Sequence, residues 1–344
     1  ETITVFFVFL SLVFILNIIA EIKFFINFDI GFYYPIFITL LNIPSVVFEI
    51  FPFIFLISTQ LFFIKLYEKN ELIILKNYGI DNIKLLNILI LASLLIGILV
   101  TTLFYTFSSS LKHSYLYFKN QYSTDQKYLA VVNQNGLWIK DEVEDNINII
   151  NADSIKKYEL KNITISQLDL NFNLVKTIKA KSANIVENNW ILEEVDIFTI
   201  GKPKLTSKNI EFTTNFNIEK INNMFSDLSS LNFFELFDLY KDYKLFGYST
   251  TEIESHLHKL YSMPLYLTIM TIIGAILMFN VKLYSSKTLN IVIGVMISVL
   301  IYYLNYFVNL LGKNEYVPIV VSIWMTQLIL FIICIIGTLK LNEK

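Results

Sequence analysis

The sequence predicts an α-helical membrane protein. It has six transmembrane helices and, between the third and fourth, an inserted antiparallel, jelly-roll-like β domain on the outer side. Three observations carry this. Of 344 residues, 55% are hydrophobic and only 16% charged, against roughly 25% charged in an ordinary soluble domain. The apolar residues are gathered into blocks almost free of charge. Between the third and fourth blocks the charges become dense and balanced. The same composition excludes a disordered chain. A net charge of −2 and a pI near 6.0 leave no cationic surface for nucleic acid.

Taken in order, Ile3 to Ala20 is uncharged, Ile30 to Ile64 carries only Glu49, and Leu85 to Leu111 is uncharged. Tyr261 to Val281, Thr288 to Gly312 and Tyr316 to Leu339 carry no charge either. A helix needs about 20 mostly apolar residues to cross roughly 30 Å of hydrocarbon. A buried helix of a soluble protein seldom keeps charge off every face for so long. Each block therefore reads as a span, the second long enough to cross at a tilt. The first lacks the basic leading region and small-residue cleavage site of a signal peptide. With Glu rather than Met at position 1, a preceding segment is expected.

From Lys112 to Lys259 the apolar runs are short. Leu137-Trp138-Ile139, Asn146 to Ile150, Asn162 to Ile165, Asn189 to Ile200 and Asn209 to Phe216 alternate or are β-branched, and Asn, Asp, Gly or Lys break them. Such segments predict short strands of an antiparallel sandwich or barrel. Helical periodicity returns at Leu231 to Tyr243. Gly247 and Ser249 interrupt it, and a second helix leads into span four. The expected divisions are 1–111 for spans one to three with a loop helix at 66–80, 112–230 for the β domain, 231–260 for linker helices, and 261–344 for spans four to six.

Orientation follows from lysines in short loops. Lys65, Lys69, Lys76 and Lys84 lie between spans two and three, Lys282 and Lys287 after span four, and Lys340 and Lys344 at the end. The opposite side offers Lys23 and Lys313. Both termini are therefore expected in the cytoplasm and the β domain outside. All 27 basic residues are lysine, and with abundant Asn, Ile, Phe and Tyr this reads as genome-wide compositional drift.

No P-loop, H-E-x-x-H or G-x-S-x-G motif occurs, so no catalytic or metal-binding constellation and no resident cofactor is expected. His256 and His258 stand at i and i+2, which do not share a helix face, and read as interfacial. The lone Cys334 reads as a packing residue. Ion coupling usually requires buried ionisable groups along the pathway; the spans offer only Glu49, between Pro44 and Pro52.

The stretch Leu66-Tyr67-Glu68-Lys69-Asn70-Glu71-Leu72-Ile73-Ile74-Leu75-Lys76-Asn77-Tyr78-Gly79-Ile80 resembles the cytoplasmic coupling helix of the LptF/LptG permeases, which export lipopolysaccharide. Glu71, Leu72 to Leu75 and Gly79 fall on the family's pattern of a Glu, a short apolar run and a terminal Gly. Ile43-Pro44, Glu49 and Phe51-Pro52-Phe53 resemble the family's proline-bracketed second span. Gln134-Asn135-Gly136-Leu137-Trp138-Ile139-Lys140-Asp141 resembles the first strand of the periplasmic domain and favours the LptG branch. Ala180 and Ala183 with Trp190-Ile191-Leu192 resemble a later hairpin, and Leu231 to Leu236, Gly247, Lys259 and Pro264 the return to span four. The order of these matches covers nearly the whole chain. The chain departs from the family in lacking arginine and the arm expected before span one.

The resemblance implies a bacterial inner-membrane subunit, paired with an LptF-type paralogue and driven by a cytosolic LptB-type ATPase dimer that uses ATP and magnesium. Periplasmic bridge proteins of LptC or LptA type would receive the cargo. Glu68, Glu71, Leu72, Ile73 and Leu75 would engage the ATPase. Gly79 would close the helix in the left-handed C′ conformation, and Asp81 would cap span three. Lys23 would meet lipopolysaccharide phosphates. Phe9 and Phe14 of span one and Leu300, Tyr303 and Phe307 of span five would line the cavity. Trp138, Ile149, Ile165 and Trp190 would face a lipid path inside the β domain, one edge of which would accept partner strands. An LptF-type subunit, another ABC permease with a large external domain, and a membrane assembly factor without cargo are the alternative readings.

Overall fold

A computed structural model describes residues 1–122, 137–143, 146–156, 158–170, 172–218, 220–221, 227–245, 248–279 and 287–342. In chain order its helices are α1 (Thr2–Phe25), α2 (Tyr33–Glu68), α3 (Glu71–Asn77), α4 (Asn82–Leu99), α5 (Tyr105–Asn120), α6 (Phe233–Leu245), α7 (Thr251–Phe279), α8 (Lys287–Lys313) and α9 (Ile319–Asn342). A π-turn, Val100–Phe104, joins α4 to α5. The strands are β1 (Leu137–Val143), β2 (Asn146–Lys156), β3 (Glu159–Leu168), β4 (Leu174–Asn184), β5 (Asn189–Thr199) and β6 (Leu205–Thr213). They divide into two compact units, Glu1–Tyr115 with Thr251–Lys344, and Leu116–Thr250.

Among the described residues, the first unit holds six helices long and apolar enough to cross a membrane: Thr2–Phe25, Tyr33–Glu68, Asn82–Asn120, Thr251–Phe279, Leu289–Lys313 and Ile319–Leu339. α7 is the central one, with 67% of its apolar window buried, whereas α1 buries 11%. Leu56 of α2 packs with Ile269, Met270, Ile272 and Ile273 of α7, Ile301 of α8 and Leu330 of α9. α8 approaches α2 at Gly294, where any Cβ would collide with the side-chain amide of Gln60. Gln60 is fully buried and donates to the Asn290 carbonyl at 2.9 Å. Ser298, one turn on, is also buried, so this small-residue pair serves packing within the chain.

Two expected boundaries move. Nothing from Thr251 to Lys259 breaks a helix, so the second linker helix is the opening of α7 itself. Likewise span three continues through α5 to Asn120, past the expected start of the β domain at 112. Gly247, Lys282 and Lys344 lie outside the described residues.

The second unit contains one six-stranded antiparallel sheet in the order β1-β2-β3-β4-β5-β6. The described strands are joined as successive hairpins, a simpler path than a two-sheet sandwich. β4 is an eleven-residue strand within Lys112–Lys259 that strand reading did not assign. Lys179 and Lys181 alternate with Ile178 and Ala180, which are buried on one face. That inner face also carries Ile139, Ile150, Ile163, Ile165, Leu192 and Val195, all at 1% exposure or less.

Candidate functional site

α3 is a seven-residue helix held at both ends. Asn70 before it has φ 54°, and Gly79 after it has φ 80°. The Ile80 amide donates to the Leu75 carbonyl at 3.0 Å and the Gly79 amide to Lys76 at 2.9 Å. These are the two crossed bonds of a Schellman motif, which needs a left-handed residue where Gly79 stands. Asp81 then caps α4, accepting from the Lys84 amide at 2.8 Å. Lys84 turns back to the Gly79 carbonyl at 2.9 Å.

The two faces of α3 differ. Leu72 is buried with Phe63, Ile64 and Leu66 of α2, Leu85 and Leu86 of α4, and Ala275 and Met278 of α7, and Leu75 and Ile80 pack against the same cluster. Leu72 therefore cannot enter a partner's groove, as the sequence reading had it do, because it already fills one in its own chain. Ile73, Ile74 and Tyr78 are exposed at 57%, 50% and 80%. Glu68 is exposed at the end of α2, and Glu71 lies 3.8 Å from Lys69.

On α1 the packed stripe recurs every fourth residue. Val5, Val13, Glu21 and Phe25 are buried, while Phe9 and Phe14 pack against the cluster that includes Ile43, Val47, Phe51 and Ile54 of α2. Phe9 and Phe14 thus face the chain's own core rather than an open cavity; the bare side of α1 carries Phe7, Leu12 and Leu16. Lys23 is exposed in the last turn. Leu300, Tyr303 and Phe307 of α8, spaced to share a face, are each about 60% exposed. Glu49 lies exposed on the flank of α2 between Pro44 and Pro52.

The first turns of α7 form a girdle of polar contacts. Glu252 meets Lys313 of α8 at 3.3 Å, and Ser255 donates to Asn309 at 3.0 Å. His256 lies 2.9 Å from the Tyr105 hydroxyl. His258 accepts from the Trp324 indole at 3.3 Å. The two histidines thus serve different spans, as their spacing requires.

In the sheet, the four residues expected on one lipid path do not share a face. Ile165 and Trp190 point inward and are fully buried, and the Trp190 indole donates to the Phe216 carbonyl at 2.7 Å. Trp138 is 55% exposed. Ile149 sits one residue from the inward Ile150, so the pleat turns both Trp138 and Ile149 to the opposite face. In β1, buried Asp141 accepts from the Thr214 hydroxyl at 2.6 Å and from Asn215 twice. Thr214 and Asn215 directly follow β6, so the sheet's two ends are clasped together. The adjacent Lys140 amide donates to the Tyr248 hydroxyl at 2.8 Å. Burial, opposed by this hydrogen bond and aided by Asp141, raises the Tyr248 phenol above its ordinary value.

Residues 2–340 match a family model described as lipopolysaccharide export system permease LptF/LptG. The chain belongs to the LptF/LptG permease family. Comparison with curated proteins finds no match. LptF/LptG proteins are permease subunits of the lipopolysaccharide export ABC system, not catalytic enzymes. As a member with six apolar helices, this one is a multi-pass inner-membrane protein.

Within this LptF/LptG chain, sequence reasoning missed the exposure of Ile74 and Tyr78. For Ile74 the signal was available: on a 3.6-residue period it lies about 200° from Leu72 and about 100° from Leu75. Tyr78, the residue after α3, stands only about 60° from Leu75, and its exposure comes from the close of the helix. It also missed the polar group of buried Glu21 and Asn42 with half-buried Lys112, because charges flanking an apolar block read as interfacial.

Proposed function

We propose that this chain is the LptG-type half of the exporter, taking lipopolysaccharide from the inner membrane and passing it outward through the β domain. An LptF-type paralogue completes the transmembrane pair, and a cytosolic LptB-type ATPase dimer, which binds ATP and magnesium, supplies the energy. The termini and α3 lie in the cytoplasm and the sheet in the periplasm, where LptC- or LptA-type bridge proteins receive the cargo. The lysine-rich short loops support this orientation. The stretch Leu137-Trp138-Ile139-Lys140-Asp141 supports the LptG branch.

The observation that carries the reading is the division of α3. Its exposed side offers Ile73, Ile74 and Tyr78, with Glu68 and Glu71 at the margin, to an apolar groove with basic neighbours. Its buried side is joined to α2, α4 and α7 through Leu72 and Leu75. A push on the exposed side therefore reaches three spans at once. At the outer end, the Lys23 ammonium pairs with cargo phosphates at headgroup level. Leu300, Tyr303 and Phe307 give acyl chains an apolar wall. Of the expected β-domain path, the inner-face residues Ile165 and Trp190 remain its members.

Ile73→Glu, Glu71→Ala and Gly79→Pro are each expected to reduce ATPase co-purification. Ile73→Glu should cost roughly tenfold or more in affinity by burying an unpaired charge. Full ATPase association and coupled hydrolysis in all three would overturn the assignment. Mass spectrometry of the purified complex identifies which paralogue accompanies the chain. An LptG-type partner there would make this chain the LptF-type half.

A further inference from the structure

A helix that is apolar on nearly every side has no preferred rotation in lipid, because hydrocarbon rewards all its faces alike. α1 is such a helix up to Asn17. Beyond it, the packed stripe turns polar and engages two other spans. The Asn17 side-chain Oδ1 accepts from the Asn42 side-chain amide at 3.0 Å. The Asn42 side-chain Oδ1 accepts from the Lys112 ammonium at 2.8 Å. The Lys112 ammonium also stands 4.7 Å from the centre of the Tyr115 ring. The Tyr115 hydroxyl donates to the Glu21 carboxylate at 2.9 Å, and Glu21 is only 2% exposed. One chain of contacts thus links α1, α2 and α5. Lys23 follows Glu21 by two residues, about 200° around the helix, and is exposed on the side away from it.

We propose that this polar set, buried at Glu21, Asn42 and Tyr115, is a rotational lock on span one that holds Lys23 toward the phosphates of the cargo, making Glu21, Asn42, Lys112 and Tyr115 positioning residues for lipid recognition. The inference rests on the reading of Lys23 as a phosphate contact. The mechanism is steric and electrostatic. Turning α1 by even 60° would strip the Glu21 carboxylate from its donor and carry it toward lipid, where an ionised group is costly. Apolar side chains could be exchanged between lipid and α2 at little cost, so Val5, Val13 and Phe25 alone would not fix the angle.

The test uses the full chain in lipid nanodiscs with its permease and ATPase partners, with the buried Cys334 first replaced by serine. Single cysteines at positions 23 and 25 are reacted with a membrane-impermeant maleimide. Phe25 is 3% exposed, so position 23 is expected to react at least about tenfold faster. Glu21→Leu and Asn42→Leu should collapse that ratio to about twofold or less. Glu21→Gln, whose amide oxygen still accepts from Tyr115, should preserve it. If the leucine variants fail to fold, Tyr115→Phe, which removes one hydroxyl, gives the same reading. An unchanged ratio in the folded variants overturns the lock. Binding of doubly phosphorylated against dephosphorylated lipid A then tests what the lock is for. Lys23→Glu should abolish the preference for phosphate, and Glu21→Leu should reduce it severalfold while leaving affinity for the dephosphorylated lipid unchanged. Loss of the preference in Lys23→Glu alone would keep the phosphate contact and overturn its positioning by the lock. An unchanged preference in Lys23→Glu would overturn the phosphate contact itself, while the labelling ratio still judges the lock.

Discussion

α1 and α7 are both read from the sequence as membrane spans, and by hydropathy alone α1 is the stronger of the two. Yet α7 is mostly buried within the chain, while α1 leaves nearly all of its apolar window uncovered. What separates them is their polar and small residues. α7 carries Glu252, Ser255, His256 and His258, each joined to another span, and Gly274, which lets the α2 backbone come close. α1 has its hydrogen bonds to other spans at Asn17 and Glu21, and at its start only the ion pair of Glu1 with the exposed Lys65. In a membrane, lipid is as apolar as leucine, so hydropathy marks what enters the bilayer and says little about what becomes central.

The comparison can be broken where the central helix is tightest. A Cβ on Gly274 would sit 2.9 Å from the Leu56 carbonyl oxygen and 3.1 Å from Thr59 Cβ. Gly274→Leu should therefore destabilise by about 3 kcal/mol or more. Loss of the monodisperse peak in size-exclusion chromatography of the detergent-purified protein would register it. Asn309→Leu removes the acceptor of Ser255 and should cost about 1 kcal/mol, typical of a hydrogen bond between membrane helices. The midpoint of thermal unfolding followed by tryptophan fluorescence measures that loss. At the other extreme, Leu16→Ala on the bare side of α1 should change stability by no more than about 0.5 kcal/mol. A thermal shift as large as that of Asn309→Leu would show that α1 is packed where the structure leaves it open.

The six spans were legible because length and the absence of charge suffice to define them. The close of α3 was also legible, since only a residue tolerant of positive φ ends a helix as Gly79 does, and Asp81 is a favoured cap. Faces were harder. Trp138 and Ile149 are as apolar as Ile139 and Ile150, and a shift of one residue moves a side chain across the sheet. Leu72 and Ile73 are neighbours of similar chemistry, and only tertiary contacts reveal that one packs inward. β4 escaped because its inner positions include Ala180 and Ala183, too small to declare a strand among lysines. Glu21 and Lys112 lay just outside uncharged blocks, where a solvated charge and one packed against another span look alike.

The clasp at Asp141 gives the sheet a direction. Edge strands invite addition because their outward amides and carbonyls lack a ladder partner. β1 has its outward amide at Lys140 covered by Tyr248, and Asp141 ties it to the residues after β6. Among the described strands, β6 forms the other edge along Leu205–Thr213. A strand joining this sheet therefore meets an obstructed margin on one side and a longer one on the other. Growth by strand addition is then polar: a file of such sheets would have a head and a tail, and anything handed along it would have a defined way to go.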